Sequence, residues 1–181
     1  MTRDEALQIL ENAEQIFSAA EVTAAVTRVA GEVTLAFAGC NPLVLAVMGG
    51  ATIFAGHLLP QLAFPLEYDY LHASRYGDEN IGGELVWIAE PRTSVLGRTV
   101  LLVDDILDEG ITLAAIKERL LAQDALACYT VVFTDKNIGR PKPIVADFVG
   151  LTLPNRYVFG FGMDIRGAWR NLPAIYALKD S

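Results

Sequence analysis

The hydrophobic and polar positions near the start of the chain recur at helical spacing. Thr2 and Glu5 form a capping-box pair ahead of apolar residues spaced three or four apart, which predicts a first helix over residues 3–19. Three valines between residues 22 and 29 repeat at the same kind of spacing, and Gly31 follows them as a stop signal. The pattern therefore predicts two consecutive helices at this end of the chain.

After Gly31 the pattern changes from helical spacing to short apolar runs. Residues 33–38 and 43–48 form two such runs on either side of a Gly-Cys-Asn-Pro turn, which is typical of strands buried on both faces. Gly49-Gly50 then leads into a predicted helix that ends near Pro60. Further elements are predicted as strands over 65–72, 84–89, 99–104 and 127–133, a helix over 112–123, and short extended pieces at 147–150 and 157–161.

The order of these predicted elements indicates the fold class. A strand, a helix and a second strand in succession form a parallel unit, so we expect an α/β fold with a mainly parallel central sheet flanked by helices. The sequence shows no repeat, low-complexity tract or second apolar core. Residues 1–181 are therefore predicted to form a single domain, with a core over about 33–150 and a small hood built from the chain ends, about 1–30 and 151–181.

Composition narrows the classes of partner. Hydrophobic residues make up 52% of the chain and charged residues 20%, so disorder is excluded as its main state. The net charge of −8 opposes bulk attraction to nucleic acid. Cys40 and Cys128 match neither a disulfide framework nor a zinc motif, and neither a signal peptide nor an apolar run of roughly 20 residues is evident. We therefore expect a cytoplasmic protein without a membrane segment.

The segment 99–112 carries the most informative chemistry. An apolar strand ends in Asp104 and Asp105, and a short loop with Asp108 and Gly110 leads to a helix that opens at Thr112. Ligands of open α/β sheets gather at the carboxyl ends of strands, where the next helix offers unpaired N–H groups to an anion. The segment thus places acceptors for sugar hydroxyls beside donors for a phosphate. The alternative is an acidic pair that only caps the following helix.

This segment resembles the phosphoribosyl-pyrophosphate signature of type I phosphoribosyltransferases. The similarity extends to the hypoxanthine-guanine branch of that family through Lys136, the Asp-Phe-Val-Gly run at 147–150, residues 153–160, Asp164 and the Arg-Asn-Leu run at 170–172. The resemblance implies the type I phosphoribosyltransferase fold. It also implies Mg²⁺-dependent joining of hypoxanthine or guanine to 5-phosphoribosyl 1-pyrophosphate, which yields IMP or GMP and pyrophosphate.

The resemblance implies specific roles for the acidic segment. The residues expected to bind phosphoribosyl pyrophosphate are Asp104, Asp105, Asp108, Glu109, Gly110, Ile111 and Thr112. Asp104 and Asp105 would hold the ribose hydroxyls directly or through magnesium, and Asp164 would be a further magnesium-linked carboxylate. Asp108 is the implied catalytic base that faces a purine ring nitrogen. Its alternative role is the N-cap of the following helix.

The implied purine site contains Lys136, Tyr157, Val158 and Asp164. Lys136 would donate to the exocyclic oxygen of the base, which favours a 6-oxopurine over a 6-aminopurine. Tyr157 would stack on the ring, and the Val158 backbone would contact its edge. The alternatives are a solvated loop lysine and a half-buried strand aromatic.

The residues implied to bind pyrophosphate are Met48, Gly49, Gly50, Ser74, Arg75, Tyr76 and Arg170. The family usually has a lysine before the two glycines, so Met48 removes one charge contact, and the sequence leaves open whether the 47–48 peptide is cis. Residues 73–77 match a loop that closes over the reaction and excludes water. The alternatives are a core methionine, a helix start and a plain surface loop.

Other function classes remain open at this stage. One alternative is a xanthine preference, and another is a nucleotide-sensing regulator that binds RNA on the same fold. His57 and His72 lack metal-ligand spacing, and neither GxxxxGK[ST] nor a complete GxGxxG occurs. The resemblance also implies a homodimer or homotetramer with small-molecule substrates. The net charge of −8 and the lack of a long apolar run predict no nucleic-acid or membrane partner.

Overall fold

A computed structural model describes residues 1–75 and 85–179. A short 3₁₀ turn, Leu59–Gln61, follows the third helix. The other elements, in chain order, are α1 (Arg3–Glu11), β1 (Ala13–Phe17), α2 (Ala19–Phe37), β2 (Leu43–Val47), α3 (Ala51–Leu58), β3 (Glu67–Arg75), β4 (Leu85–Ala89), β5 (Thr99–Leu107), α4 (Ile111–Ala122), β6 (Ala127–Lys136), β7 (Phe148–Leu153), β8 (Val158–Phe159) and β9 (Ile175–Leu178).

The central sheet has six strands in the order β4-β3-β2-β5-β6-β7. Its pairs are parallel except for β3 with β4, which is antiparallel at the edge. One face packs against α2 and α3 through residues such as Val29 and Phe54, and the other packs against α4 through Ile116 and Leu120. All five residues of β2 are buried, as expected for a strand covered on both faces. The predicted α/β fold with a mainly parallel sheet is confirmed.

The two ends of the chain meet in a second, smaller sheet. Its strand order is β1-β9-β8, and both pairs are antiparallel. The Trp169 indole N–H donates to the Ala6 carbonyl at 2.8 Å, which ties the C-terminal region to α1. These long-range contacts hold the segment that follows β8 close to the carboxyl end of the central sheet.

The prediction of one continuous helix over residues 3–19 is wrong. Helix α1 ends at Glu11, where Asn12 is the C-cap, and residues 13–17 pair with β9 instead. Ser18 then begins α2 with its own capping box, since its hydroxyl accepts from the Glu21 N–H and Glu21 accepts from the Ser18 N–H. Pairing with a distant strand therefore overrides the local helical pattern.

The predicted stop at Gly31 and the predicted strand over 33–38 are also wrong. Helix α2 continues to Phe37, and Gly31 lies within it with nothing within 4 Å of an added Cβ. Val33 and Phe37 continue the buried face that includes Val29, because these positions are four apart on a helix. A glycine on the open side of a helix costs about 1 kcal/mol relative to alanine, and burial of this face outweighs that cost.

The remaining predicted elements occur close to their expected positions. The strands predicted at 99–104 and 127–133 both continue three residues further, to Leu107 and Lys136. The sequence reading missed β9, which forms the middle of the small sheet. Within residues 1–75 and 85–179, no helix combines the length and apolar character needed to cross a membrane.

Candidate active site

The carboxyl ends of β5 and β6 bring the candidate residues together. These strands pair in parallel up to Leu107 and Asp135, which form the last matched pair. Asp108 follows Leu107, and Lys136 follows Asp135, so both side chains leave the sheet at the same edge. This edge is the usual ligand position in an open α/β sheet.

Asp104 and Asp105 are an adjacent carboxylate pair within β5. The Asp105 N–H donates to Asp104 Oδ1 at 2.9 Å, and Asp105 is only 7% exposed. Burial and then the neighbouring Asp105 carboxylate raise the pKa of Asp104 well above its usual range. Burial also raises the pKa of Asp105, although the Asp104 hydrogen bond and the Arg170 guanidinium oppose the shift. The pair therefore favours protons, hydroxyl donors or a cation as partners.

Two glycines fix the position of Asp105. A Cβ on Gly50 would lie 2.0 Å from Asp105 Oδ2, and a Cβ on Gly162 would lie 3.5 Å from Asp105 Cβ and 2.4 Å from the Gly50 carbonyl oxygen. Gly162 also has a φ of 102°, which other residues rarely adopt. The buried Thr134 hydroxyl donates to the Asp105 carbonyl at 2.9 Å. The carboxylate thus lies directly against Gly50.

The loop between β5 and α4 is shaped for an anion. Gly110 has a φ of 80° and precedes the first helical residue, Ile111, so the free N–H groups of the first helical turn, which includes Thr112, face the loop. No side chain caps this end of α4. The alternative in which Asp108 serves as the N-cap is therefore wrong.

Asp108 and Lys136 form an ion pair beside a cleft. Lys136 Nζ lies 2.5 Å from Asp108 Oδ2, and the lysine side chain is only 12% exposed, so it is not a solvated loop lysine. The cleft has a volume of about 210 Å³. Its lining residues are Asp105, Ile106, Asp108, Lys136, Tyr157, Val158, Met163 and Asp164.

Asp164 and Arg170 hold each other at the rim. Arg170 Nη2 lies 2.5 Å from Asp164 Oδ1, and Arg170 Nη1 lies 4.0 Å from Asp105 Oδ2. The Gly167 N–H donates to the other Asp164 oxygen at 2.6 Å. Tyr157 is 53% exposed, and it lines the same cleft.

The three carboxylates expected to contact metal do not form one cluster. Across the part of the chain that the structure describes, no group of three or more His, Cys, Asp or Glu side chains is arranged to hold a metal ion. Asp104 and Asp105 are adjacent, whereas Asp164 pairs with Arg170. Any shared ion would therefore need further oxygen ligands from water or substrate.

The structure describes only some of the residues expected to bind pyrophosphate. The Thr52 hydroxyl donates to Met48 Sδ at 3.2 Å, and the cis peptide bond lies between Met48 and Gly49, one bond after the position considered from the sequence. Ser74 and Arg75 form the end of β3. Tyr76 and the rest of the proposed closing loop lie outside the described residues.

Sequence reasoning missed several residues of this site. Thr134 supports Asp105 and lies 3.7 Å from Met163 Sδ. Its position two residues before Lys136 on β6 could have identified it, because residues i and i+2 of a strand share a face. Ile106 and Met163 line the cleft without a recognisable sequence signal.

Comparison with known proteins gives a consistent family. Residues 12–166 match the protein family described as phosphoribosyl transferase domain. A hypoxanthine-guanine phosphoribosyltransferase of Bacillus subtilis is 35% identical over 165 residues, which cover 91% of this chain and 92% of that protein.

Two further similarities involve a longer protein and a solved structure. The bifunctional protein TilS/HprT of Listeria innocua is 40% identical over 149 residues, 82% of this chain, and the match spans only 23% of that relative's length. A crystal structure of a hypoxanthine phosphoribosyltransferase from Staphylococcus aureus superposes with a TM-score of 0.88 at 27% identity. That superposition covers 98% of this chain and 97% of the other.

Proposed function

The chain belongs to the phosphoribosyl transferase domain family, and we propose that it is a purine-salvage enzyme. It transfers the 5-phosphoribosyl group of phosphoribosyl pyrophosphate to hypoxanthine or guanine, with IMP or GMP and pyrophosphate as products. The observation that carries this proposal is the Asp108–Lys136 pair in a cleft that also contains Asp105. The similarity to the Bacillus subtilis enzyme over more than nine tenths of both chains supports the same assignment.

Lys136 provides the selectivity for the base. Its ammonium group is a donor without acceptor capacity, and it reaches the cleft from the end of β6. A 6-oxopurine offers it a carbonyl oxygen, whereas a 6-aminopurine would leave it facing another donor. An unmatched buried donor costs about 1–3 kcal/mol or more, which is enough to disfavour adenine. The exposed ring of Tyr157 and the backbone of Val158 complete the base site.

Asp108 accepts the proton that the purine loses. As the bond from the ring nitrogen to the anomeric carbon forms, the bond from that carbon to the pyrophosphate oxygen breaks, and the ring N–H proton passes to the Asp108 carboxylate. In the structure this carboxylate pairs with Lys136 at 2.5 Å. A purine oxygen that engages Lys136 frees Asp108 to act as the base.

The other half of the substrate lies on the acidic strand end and the loop. Asp104 and Asp105 accept hydrogen bonds from ribose hydroxyls, and they place negative charge near the positive charge that develops on the sugar carbon. The 5′-phosphate binds the N–H groups at the start of α4. Arg170 contacts the leaving pyrophosphate once it exchanges Asp164 for the ligand.

The residues present fit a magnesium ion. Burial raises the pKa of both Asp104 and Asp105, so a cation at this pair would offset the cost of their charge. Mg²⁺ commonly uses one or two carboxylates together with waters and substrate phosphate oxygens. When bound, Mg²⁺ would neutralise part of the pyrophosphate charge.

A base-specificity assay tests the proposed function. Purified protein is supplied with phosphoribosyl pyrophosphate and with hypoxanthine, guanine, xanthine or adenine, with and without Mg²⁺, and nucleotide formation is measured. We expect Mg²⁺-dependent turnover of hypoxanthine and guanine and little turnover of adenine. Turnover of xanthine above both would change the assigned base, and no turnover with any base would refute the assignment.

Self-association in the cytoplasm is also part of the proposal. Exposed apolar side chains on β3 and β4, Tyr68, Tyr70 and Ile88 among them, would be covered in a homodimer or homotetramer. Light scattering of the purified protein measures the mass. A monomer at all concentrations would contradict this part of the proposal.

A further inference from the structure

Lys142 is a buried cation that the proposed reaction does not use. Its side chain is 11% exposed, and its Nζ lies 2.5 Å from Asp135 Oδ1. The same nitrogen donates to the Leu107 carbonyl at 2.6 Å. These partners stabilise an ammonium group that is largely shielded from water, because an unpaired buried charge is strongly unfavourable.

The two partners of Lys142 occupy a particular position in the sheet. Leu107 and Asp135 are the last matched pair of β5 and β6. Each of these two residues is followed along the chain by a residue of the proposed base site. Asp108 follows Leu107, and Lys136 follows Asp135. Lys142 therefore contacts the residue that precedes each member of the Asp108–Lys136 ion pair, through the Leu107 carbonyl and the Asp135 carboxylate.

The segment around Lys142 also supports the back of the phosphate loop. A Cβ on Gly110 would lie 3.1 Å from Ile144 Cγ2 and 3.5 Å from Lys142 Cβ. Arg140 pairs with Glu109 of the same loop. Residues 136–144 thus contact the loop at Asp108, Glu109, Gly110 and the Leu107 carbonyl.

We propose that Lys142 is a positioning residue that fixes the distance between Asp108 and Lys136 and the shape of the phosphate loop. This inference rests on the proposed function, and it adds a residue that does not itself contact purine or ribose. A reaction slows steeply when its catalytic groups are displaced, by roughly a hundredfold for a displacement of about 1 Å. Without Lys142, the Leu107 carbonyl and the Asp135 carboxylate lose their shared donor, and the paired strand ends lose a contact that supplements the sheet.

The test uses a single and a double substitution. Lys142→Met keeps the length of the side chain and removes its charge, but it leaves Asp135 without its partner and lowers stability. Asp135→Asn combined with Lys142→Met removes that unpaired charge, so thermal stability should recover. The double variant still lacks a donor to the Leu107 carbonyl. We expect its kcat/KM for hypoxanthine to remain roughly ten- to a hundredfold below that of the unsubstituted protein, with KM for hypoxanthine raised.

Lys117→Met is the matched control. Lys117 lies on α4 and pairs with Asp147 at 3.7 Å, away from the cleft. This variant should lose some thermal stability and keep the kinetic constants of the unsubstituted protein. If Lys142→Met does not fold, the double variant alone decides the question.

A purely structural role for Lys142 predicts a different result. In that case kcat/KM of the double variant returns to within about twofold of the unsubstituted protein as its thermal stability recovers, and the inference is overturned. Failure of the proposed function is distinguishable, because the unsubstituted protein would then show no nucleotide formation at all.

Discussion

Gly50→Ala should disable the substrate site with a single methyl group. Gly50 has helical backbone angles, φ −64° and ψ −47°, so alanine is compatible with the backbone there. The added Cβ would lie 2.0 Å from Asp105 Oδ2 and 2.3 Å from Asp105 Cγ. The substitution therefore acts on the position of one carboxylate rather than on the conformation of the loop.

The size of the effect follows from these distances. Real Cβ contacts essentially never fall under 3.0 Å, so Asp105 Oδ2 has to retreat by 3.0 − 2.0, or about 1.0 Å. Thr134 and Gly162 restrict that movement. A shift of this size is expected to reduce kcat/KM for phosphoribosyl pyrophosphate by about a hundredfold. Overpacking is expected to lower the free energy of unfolding by about 1–3 kcal/mol.

The assay compares Gly50→Ala with Gly56→Ala. Gly56 lies on α3 with nothing within 4 Å of an added Cβ, so its substitution should preserve kinetics and favour the helix by about 1 kcal/mol. Steady-state kinetics with varied phosphoribosyl pyrophosphate and thermal unfolding are measured for both variants. Gly50→Ala with unchanged kcat and KM would show that the Asp105 carboxylate does not contribute to this site.

Three further substitutions test single roles. Asp108→Asn should lower kcat more than it raises KM for phosphoribosyl pyrophosphate, and an unchanged kcat would refute the base role. Lys136→Met should raise KM for hypoxanthine and reduce the ratio of kcat/KM for hypoxanthine to kcat/KM for adenine. An unchanged ratio would show that Lys136 does not select the base. Because burial and Asp105 raise the pKa of Asp104, the native state binds more protons than the unfolded chain between about pH 4 and that raised pKa, and stability falls as pH rises through this window. Asp104→Asn should therefore raise the unfolding temperature of the ligand-free protein more at neutral pH than near pH 4, and a lower midpoint at neutral pH would contradict this reasoning.

Local sequence signals predicted the parts of the site that lie within one segment. The apolar run of β5, its terminal Asp104 and Asp105, and the glycine before α4 are contiguous, and the structure has a strand, a loop and a helix there. The same locality explains the errors near the start of the chain. Residues 13–17 form a strand only because β9, from the opposite end of the chain, pairs with them.

Contacts between distant segments could not be predicted in the same way. The approach of Gly50 to Asp105 depends on β2 lying beside β5, and a pattern of apolar runs does not give strand order. The ion pair of Lys142 with Asp135 depends on how the loop after β6 folds back. A lysine seven residues along the chain from an aspartate has no sequence signature of that contact.

The charge of the chain takes on a different meaning once these ion pairs are considered. A net charge of −8 should repel a substrate rich in phosphate. The site nevertheless contains cationic side chains, and each of them is paired with an acid. Lys136 pairs with Asp108, and Arg170 pairs with Asp164. Under the proposed function, the purine oxygen replaces Asp108 as the partner of Lys136, and the pyrophosphate replaces Asp164 as the partner of Arg170, so both cations keep a partner when the ligands bind. The released Asp108 carboxylate then loses its unpaired charge when it accepts the purine proton. The exchange at Lys136 also leaves Asp108 free to accept a proton only after the purine is bound, which joins recognition of the base to its activation.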